Sequence, residues 1–407
     1  MMQPIIYQGI MERYKKELLE NVVPFWTKHA PDFEYGGYFH CFDRDGTIID
    51  TNKSMWIEAR AIWMFSRLFN SSILTNQPER TEWLNLAKLG ADFLKKYGRD
   101  ENGDFYFRLS KEGKPLVAPY NIFSDCFAAI GFLEYAKASG DQESFDIAKQ
   151  TYQRIQNRKN QPKGKWDKTM PGTQPLFGLS LPMMNINVSD VFQTIEPNPV
   201  YEEIIRAEIS VILDRFVDRK YHVIRENIVQ TGGFCNETYE GRHINPGHGI
   251  ESLWFIMSVA SRRKDSNIIK RCHEALLDNL EFGWDTECGG LFYFMDVLGK
   301  PHLELSWDMK LWWVHLESLI ATLMGFQLTG DSKLWDWFVK LEEYTWKHFP
   351  DSQYGEWFPY LTRDGKVNNN QKGGRWKCFF HLPRALLMIA EMSSVGNNPT
   401  LTNLHYL

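Results

Sequence analysis

The chain lacks a cationic start followed by an apolar stretch, since Met11 to Glu20 is already charged and helix-like. It also lacks any uninterrupted apolar run of roughly 18 residues, the length a spanning helix needs. Neither an export signal nor a membrane span is expected. The six cysteines, at 41, 126, 235, 272, 288 and 378, form no CxxC pair, and 407 residues with 43% hydrophobic content can bury a core without disulfides. Reduced thiols in the cytoplasm are the simpler expectation. No sign of charge dominates: the formal net charge is −5 with both signs interspersed, which leaves no basic patch for nucleic acid and no polybasic anchor for lipid. GxxxxGK[ST], GxGxxG, HExxH and GxSxG are all absent, and His243 and His248 stand five apart, a poor spacing for one helical face. These absences leave a small soluble partner and chemistry done by ordinary side chains, with no metal and no required cofactor.

What the chain does have is a recurring turn. A short acidic, glycine-containing segment opens onto aromatic or apolar residues at Tyr35-Gly36-Gly37-Tyr38-Phe39, Asn102-Gly103-Asp104-Phe105, Gly232-Gly233-Phe234, Gly289-Gly290-Leu291-Phe292 and Tyr354-Gly355-Glu356-Trp357. The first two copies lie roughly 65 residues apart, as do the last two, and the gap between Gly103 and Gly233 is about twice that, so one copy is degraded. Its place falls in the polar Asn157 to Thr173 region, which is also the expected flexible segment. Six modules fit the length, each with room for one turn and two helices. Stretches such as Trp83 to Tyr97, Ile204 to Phe216, Ile268 to Leu280 and Leu334 to Trp346 carry apolar residues three and four apart, which gives a helix one buried face. A module that cannot bury its face alone needs neighbours on both sides, and six can close into a ring. The expected fold is all-α: an (α/α)6 barrel of twelve helices in a single domain over residues 1–407.

Aromatics are abundant, with 15 Trp, 27 Phe and 17 Tyr, and most must be core because rings dominate buried area. Those beside charged residues at the start of inner helices are candidate cavity walls, because a sugar offers flat C–H faces and hydroxyls. About 15 to 27 residues beyond each turn a polar group interrupts an apolar segment: Arg60, Ser124-Asp125, His248 with Glu251, Glu317 and His381. In a ring these positions converge. Asn245-Pro246-Gly247-His248 reads as a helix start that puts His248 one turn from Glu251, which could orient the imidazole; a capping histidine is the alternative. His381, set between Phe380 and Leu382-Pro383, is either satisfied core or the second of two imidazoles facing a common substrate. Arg60, among Trp56, Trp63 and Phe65, stays charged and must find an acceptor, with Glu58 as one choice. Glu317 could pair with Arg60 or Lys310, or fix a histidine tautomer.

With these residues in place, the chain resembles the N-acylglucosamine 2-epimerase family. The likeness spans nearly all of it, through Tyr35 to Phe39, Trp56 to Arg60, Phe123 to Phe127, Pro182-Met183-Met184, Asn245 to His248, Gly289 to Phe294, Met309 to Trp313, Tyr354 to Trp357 and Lys372 to Arg384. The resemblance implies a six-module α/α barrel, a homodimer, and an arginine, two histidines and a glutamate needed for activity; these fall on Arg60, His248, His381 and Glu317. Glu251, Lys310, Asn185, Trp312, Trp313 and Trp376 are the accompanying candidates for binding an amino sugar, the three tryptophans as stacking walls. Sister groups, the cellobiose 2-epimerases and aldose–ketose isomerases, carry a further histidine where this chain reads Leu181-Pro182-Met183-Met184-Asn185, which favours the N-acyl branch. Where relatives read Trp-Trp-Pro-His this chain has Trp312-Trp313-Val314-His315, which would shift a helix start. ATP enters only as an allosteric activator that some family members use without consuming it. The expected reaction is ring opening, removal of the C2 proton to an enolate, and proton return on the other face by the second histidine. Its rivals are a mannose or glucose 2-epimerase or an aldose–ketose isomerase in the same barrel. From other classes come a glycoside hydrolase using two carboxylates such as Asp125 and Glu317, and a non-catalytic glycan-binding protein.

Overall fold

The computed structural model describes residues 2–158, 170 and 176–395, with side chains from residue 6 onward. Twelve helices build its frame: α1 Met2–Glu17, α2 Met55–Asn70, α3 Arg80–Tyr97, α4 Phe123–Ser139, α5 Gln142–Arg158, α6 Ser180–Ile195, α7 Pro199–Val211, α8 Pro246–Arg263, α9 Ser266–Gly283, α10 Trp312–Thr329, α11 Ser332–His348 and α12 His381–Val395. The odd-numbered helices are amphipathic. In α9 the buried residues are Cys272, Ala275, Leu276, Asn279, Leu280 and Gly283, three or four apart, and Asp265 caps its start by accepting the Ile268 N–H at 3.0 Å. The even-numbered helices are buried on all sides; in α10 every residue from Trp312 to Gly325 is buried. Such a helix cannot face water and must be inside.

Each inner helix packs on the next, α2 on α4, α4 on α6, α6 on α8, α8 on α10, α10 on α12, and α12 back on α2, which closes the ring. The outer layer follows the pairs α2 with α3, α4 with α5, α6 with α7, α8 with α9 and α10 with α11. The sixth pair differs from a simple run of modules: α12 takes as its outer partner α1, from the other end of the chain. Arg67 of α2 and Glu391 of α12, at 2.9 Å, join the two ends of the ring, and Ser71 donates to the same carboxylate at 2.7 Å.

Short antiparallel strands tie the modules at the mouth. Lys53–Ser54, just before α2, pairs with Arg108–Leu109 of the next module; Leu176–Gly178 pairs with Asn227–Val229, His243–Ile244 with Met295–Asp296, and Lys310–Leu311 with Tyr360–Leu361. These pairings hold the starts of the inner helices around one opening.

The turns obey a rule that the glycines only partly mark. In four modules an aspartate, Asp32, Asp218, Asp285 or Asp351, accepts turn N–H groups through one carboxylate oxygen and a buried cation, Lys53, Arg225, Lys310 or Lys372, through the other. Asp100 accepts the turn N–H groups in the same way. The fourth copy is therefore Asp218 to Val223, where His222 takes the left-handed backbone (φ 56°) that glycine takes elsewhere. Gly232-Gly233-Phe234, expected to be that copy, is instead a hairpin tip after Asn227–Val229. The expected third turn lies almost wholly outside the described residues. Inner-helix side chains accept the N–H that follows the turn: Glu58 from Tyr38 at 3.0 Å, Asp125 from Phe105 at 3.0 Å and His315 from Leu291 at 3.0 Å. Several polar interruptions of the apolar helices thus serve the turns.

Candidate active site

At the starts of the inner helices the ring opens into a cavity of about 880 Å3. Asn245 caps α8 by accepting the His248 N–H at 3.3 Å, and Pro246 at the first turn fixes the helix start, so His248 enters the cavity from a defined position. Gly247 is required here: a Cβ would stand 2.6 Å from the Trp313 ring, which packs against the helix start. The His248 and Trp313 rings are 5.3 Å apart, and the His381 ring lies 5.8 Å from the same indole. Both imidazoles therefore flank one tryptophan. Helix α10 begins at Trp312 and α12 at His381, so these three rings are held by helix first turns.

Each imidazole is gripped at Nδ1 by its own carboxylate. Glu226 Oε2 lies 3.0 Å from His248 Nδ1, and Glu317 Oε1 lies 2.8 Å from His381 Nδ1. Glu317 is in turn fixed by the Trp254 indole N–H at 2.9 Å and by Arg384 at 2.5 Å, and Arg384 also reaches Glu251 at 3.0 Å. With Nδ1 engaged, Nε2 is the nitrogen left for a ligand. The two environments push the rings apart electrostatically. Burial lowers the His248 pKa, but the charge and hydrogen bond of Glu226, with the charge of Glu251, outweigh it and hold the group above its ordinary 6.5. Burial, then the positive charges of Arg60 and Arg384, drive His381 well below 6.5. One ring favours the imidazolium and the other the neutral base.

Arg60 lines the same cavity, its guanidinium carbon 4.0 Å from the centre of the Phe127 ring and 4.5 Å from those of Trp56 and Phe380, with no partner for its buried Nε. An ion pair with Glu58, one of the alternatives for Arg60, does not form, because Glu58 serves the first turn. Trp312 Nε1 and Arg384 Nε are likewise buried without a partner. Together these atoms leave donors available to a hydroxyl-rich or anionic ligand.

Of the expected site residues, the structure brings Arg60, His248, Glu251, Trp312, Trp313, Trp376 and His381 to one cavity, with Trp376 exposed at its rim and Glu317 directly behind His381. Two others lie away from its lining. Lys310 is fully buried, bonded to Asp285 at 3.0 Å, and belongs to the turn scaffold; strand alternation sends Leu311 into the cavity and Lys310 to the far side. Asn185 donates to Glu208 at 2.7 Å toward the outer layer, because it sits on the face of α6 opposite Met184 and Asn187. Glu251 does not hold His248 as expected; it bonds Arg384. Asp125 is occupied by Phe105 N and Arg158, so a hydrolytic pair with Glu317 is not formed. Glu317 meets neither Arg60 nor Lys310. Sequence reasoning missed Glu226 and gave Arg384 no role. Arg384, three residues after His381 on one helix face, had that spacing as its signal; Glu226, 22 residues before its partner, had none.

Among the described residues, Glu251, Glu317 and His381 bring ligand atoms within 4.8 Å of one another. Arg384 bridges both carboxylates, so a guanidinium fills the position a metal cation would need.

Comparison with known proteins bears on this geometry. The family model for N-acylglucosamine 2-epimerase (GlcNAc 2-epimerase) matches residues 37–385. The chain is 37% identical over 393 residues to the N-acylglucosamine 2-epimerase of Bos taurus, covering 94% of this chain and 90% of that one. It is 34% identical to that of Homo sapiens, covering 95% and 90%. Among solved structures, the cellobiose 2-epimerase of Spirochaeta thermophila superposes with a TM-score of 0.81 at 20% identity over 96% of this chain and 98% of that one, a likeness of fold.

Proposed function

The chain belongs to the N-acylglucosamine 2-epimerase family, and from that premise we propose that its cavity interconverts N-acetylglucosamine and N-acetylmannosamine by proton transfer at C2 between two histidines. It is an isomerase acting on a sugar. The observation that carries the mechanism is the pair of imidazoles flanking Trp313, each held at Nδ1 by its own carboxylate, with their pKa values moved in opposite directions.

An N-acylhexosamine closes on itself as a hemiacetal, so a proton must first move from O1 to the ring oxygen as the C1–O5 bond breaks. The open-chain aldehyde makes the C2 hydrogen acidic. Neutral His381 takes that proton at Nε2, and the electron pair passes to O1 as an enolate. Arg60, a fixed cation among aromatic rings, stabilises the charge without reorganising. Protonated His248 then delivers its proton to the other face of C2, which inverts the centre; acid and base action of this kind contributes about 10² to 10⁴ in rate. The opposite sugar meets the pair with the proton exchanged. Glu317 and Glu226 orient the rings, and Trp313 and Trp376 offer apolar faces to the sugar. No cofactor enters any step. A cytoplasmic homodimer, and ATP as an activator that is not consumed, go with this reading on the strength of the resemblance.

Incubation of N-acetylmannosamine in heavy water, with and without ATP, tests it on protein sized by light scattering, where the homodimer weighs twice 47.7 kDa. Deuterium is expected at C2 of the N-acetylglucosamine formed. Product with C2 unlabelled throughout would sink the two-histidine mechanism.

A further inference from the structure

Inner helix α6 turns Ser180, Met183, Met184 and Asn187 to the cavity, at the three- and four-residue spacing of one face. Asn187 is only 5% exposed, and its side-chain oxygen makes no hydrogen bond. Two turns inside a helix, asparagine is a poorer helix former than the methionines beside it, and a buried amide oxygen without a partner is costly. No group among the described residues uses that oxygen, so the position fits a ligand that does.

We propose that Asn187 recognises the N-acyl group of the sugar; the assignment rests on the function proposed above and adds its specificity. A primary amide carries both donors and an acceptor. Among the substituents of an N-acylhexosamine only the acyl group is itself an amide, with one N–H and one C=O, so the two can pair. A hydroxyl at C2 would satisfy half of it. The acyl methyl rests against Met183 and Met184, whose flexible thioethers fill an irregular apolar site, with Phe127 and Phe255 on the same cavity wall. The location agrees with the chemistry. The acyl nitrogen is bonded to C2, the carbon that exchanges its proton, and α6 packs directly against α8, which carries His248.

Asn187→Leu removes the amide while keeping bulk, and Asn187→Asp keeps the shape while removing the donors. Wild type and both variants are titrated with N-acetylglucosaminitol and with glucitol, open-chain polyols that cannot react and differ only at C2. The signal is the fluorescence of the cavity tryptophans Trp56, Trp312, Trp313 and Trp376. Wild type is expected to favour the acetamido compound, and Asn187→Leu to lose that preference by about 10- to 100-fold, with Asn187→Asp between them. Preference retained in Asn187→Leu, or equal weakening of both polyols, overturns the assignment; if the leucine variant does not fold, an unchanged preference in Asn187→Asp does so. Wild type that discriminates between the polyols yet epimerises nothing supports the assignment and sinks the proposed function instead.

Discussion

Glu226 shows how one side chain sets the working state of another. Against burial, its charge and hydrogen bond raise the His248 pKa above 6.5, whereas burial and the charges of Arg60 and Arg384 drive that of His381 well below it. The combination that the proposed mechanism uses, imidazolium at 248 and imidazole at 381, is therefore favoured between the two pKa values, one above and one well below 6.5. Activity should fall on the acid side only well below 6.5, where His381 gains a proton, and on the alkaline side above 6.5, where His248 loses one. Glu226→Gln removes the negative charge and most of the upward push. We expect kcat/KM to drop about 100-fold and the alkaline limb of its pH profile to move to lower pH, since burial then acts with less opposition. A profile whose alkaline limb stays in place would show that Glu226 does not control this proton.

At the scale of the element, the turn between an outer helix and the strands at the mouth is a small electrostatic device. Asp285 is 1% exposed; Lys310 donates to Oδ2, the N–H groups of Glu287 and Cys288 donate to Oδ1, and the Arg363 guanidinium donates to both oxygens. Burial alone would raise its pKa, but these bonds outweigh it and hold the carboxyl far below the usual range, and Asp351 is held low likewise by Arg44 and Lys372. A carboxyl depressed in the folded state contributes stability above its unfolded pKa of about 3.9, and that stability is lost as pH falls toward the folded value. Acidification should therefore loosen these turns first. Asp285→Asn leaves Lys310 buried beside a neutral amide and should cost about 3–5 kcal/mol in urea unfolding at neutral pH, a loss that shrinks toward pH 2. A cost that stays constant with pH would remove the charge from the explanation. This device also accounts for Lys310, which precedes the cavity in sequence yet serves the turn in space.

Across the whole molecule, closure of the ring depends on chain ends meeting. Helix α1 is the outer partner of α12, and Tyr14, fully buried, lies 5.3 Å from the Trp346 ring of α11, edge-on, and 3.2 Å from its indole nitrogen. Tyr14→Ala opens a cavity at that seam and should lower unfolding free energy by about 3–5 kcal/mol. Calorimetry should still show one transition; an early separate melting of the α1–α12 region would mean that the ring tolerates being open.

The helical periods, the repeated turn and the joint motifs around Arg60, His248, Glu317 and His381 were legible from the chain alone, because periodicity and local spacing are properties of sequence. Only tertiary structure decided which carboxylate grips which histidine, which face of α6 lines the cavity, and that α1 completes the sixth pair. Those contacts join residues far apart along the chain or turned to opposite sides of one element. Their geometry exists only once the ring has closed.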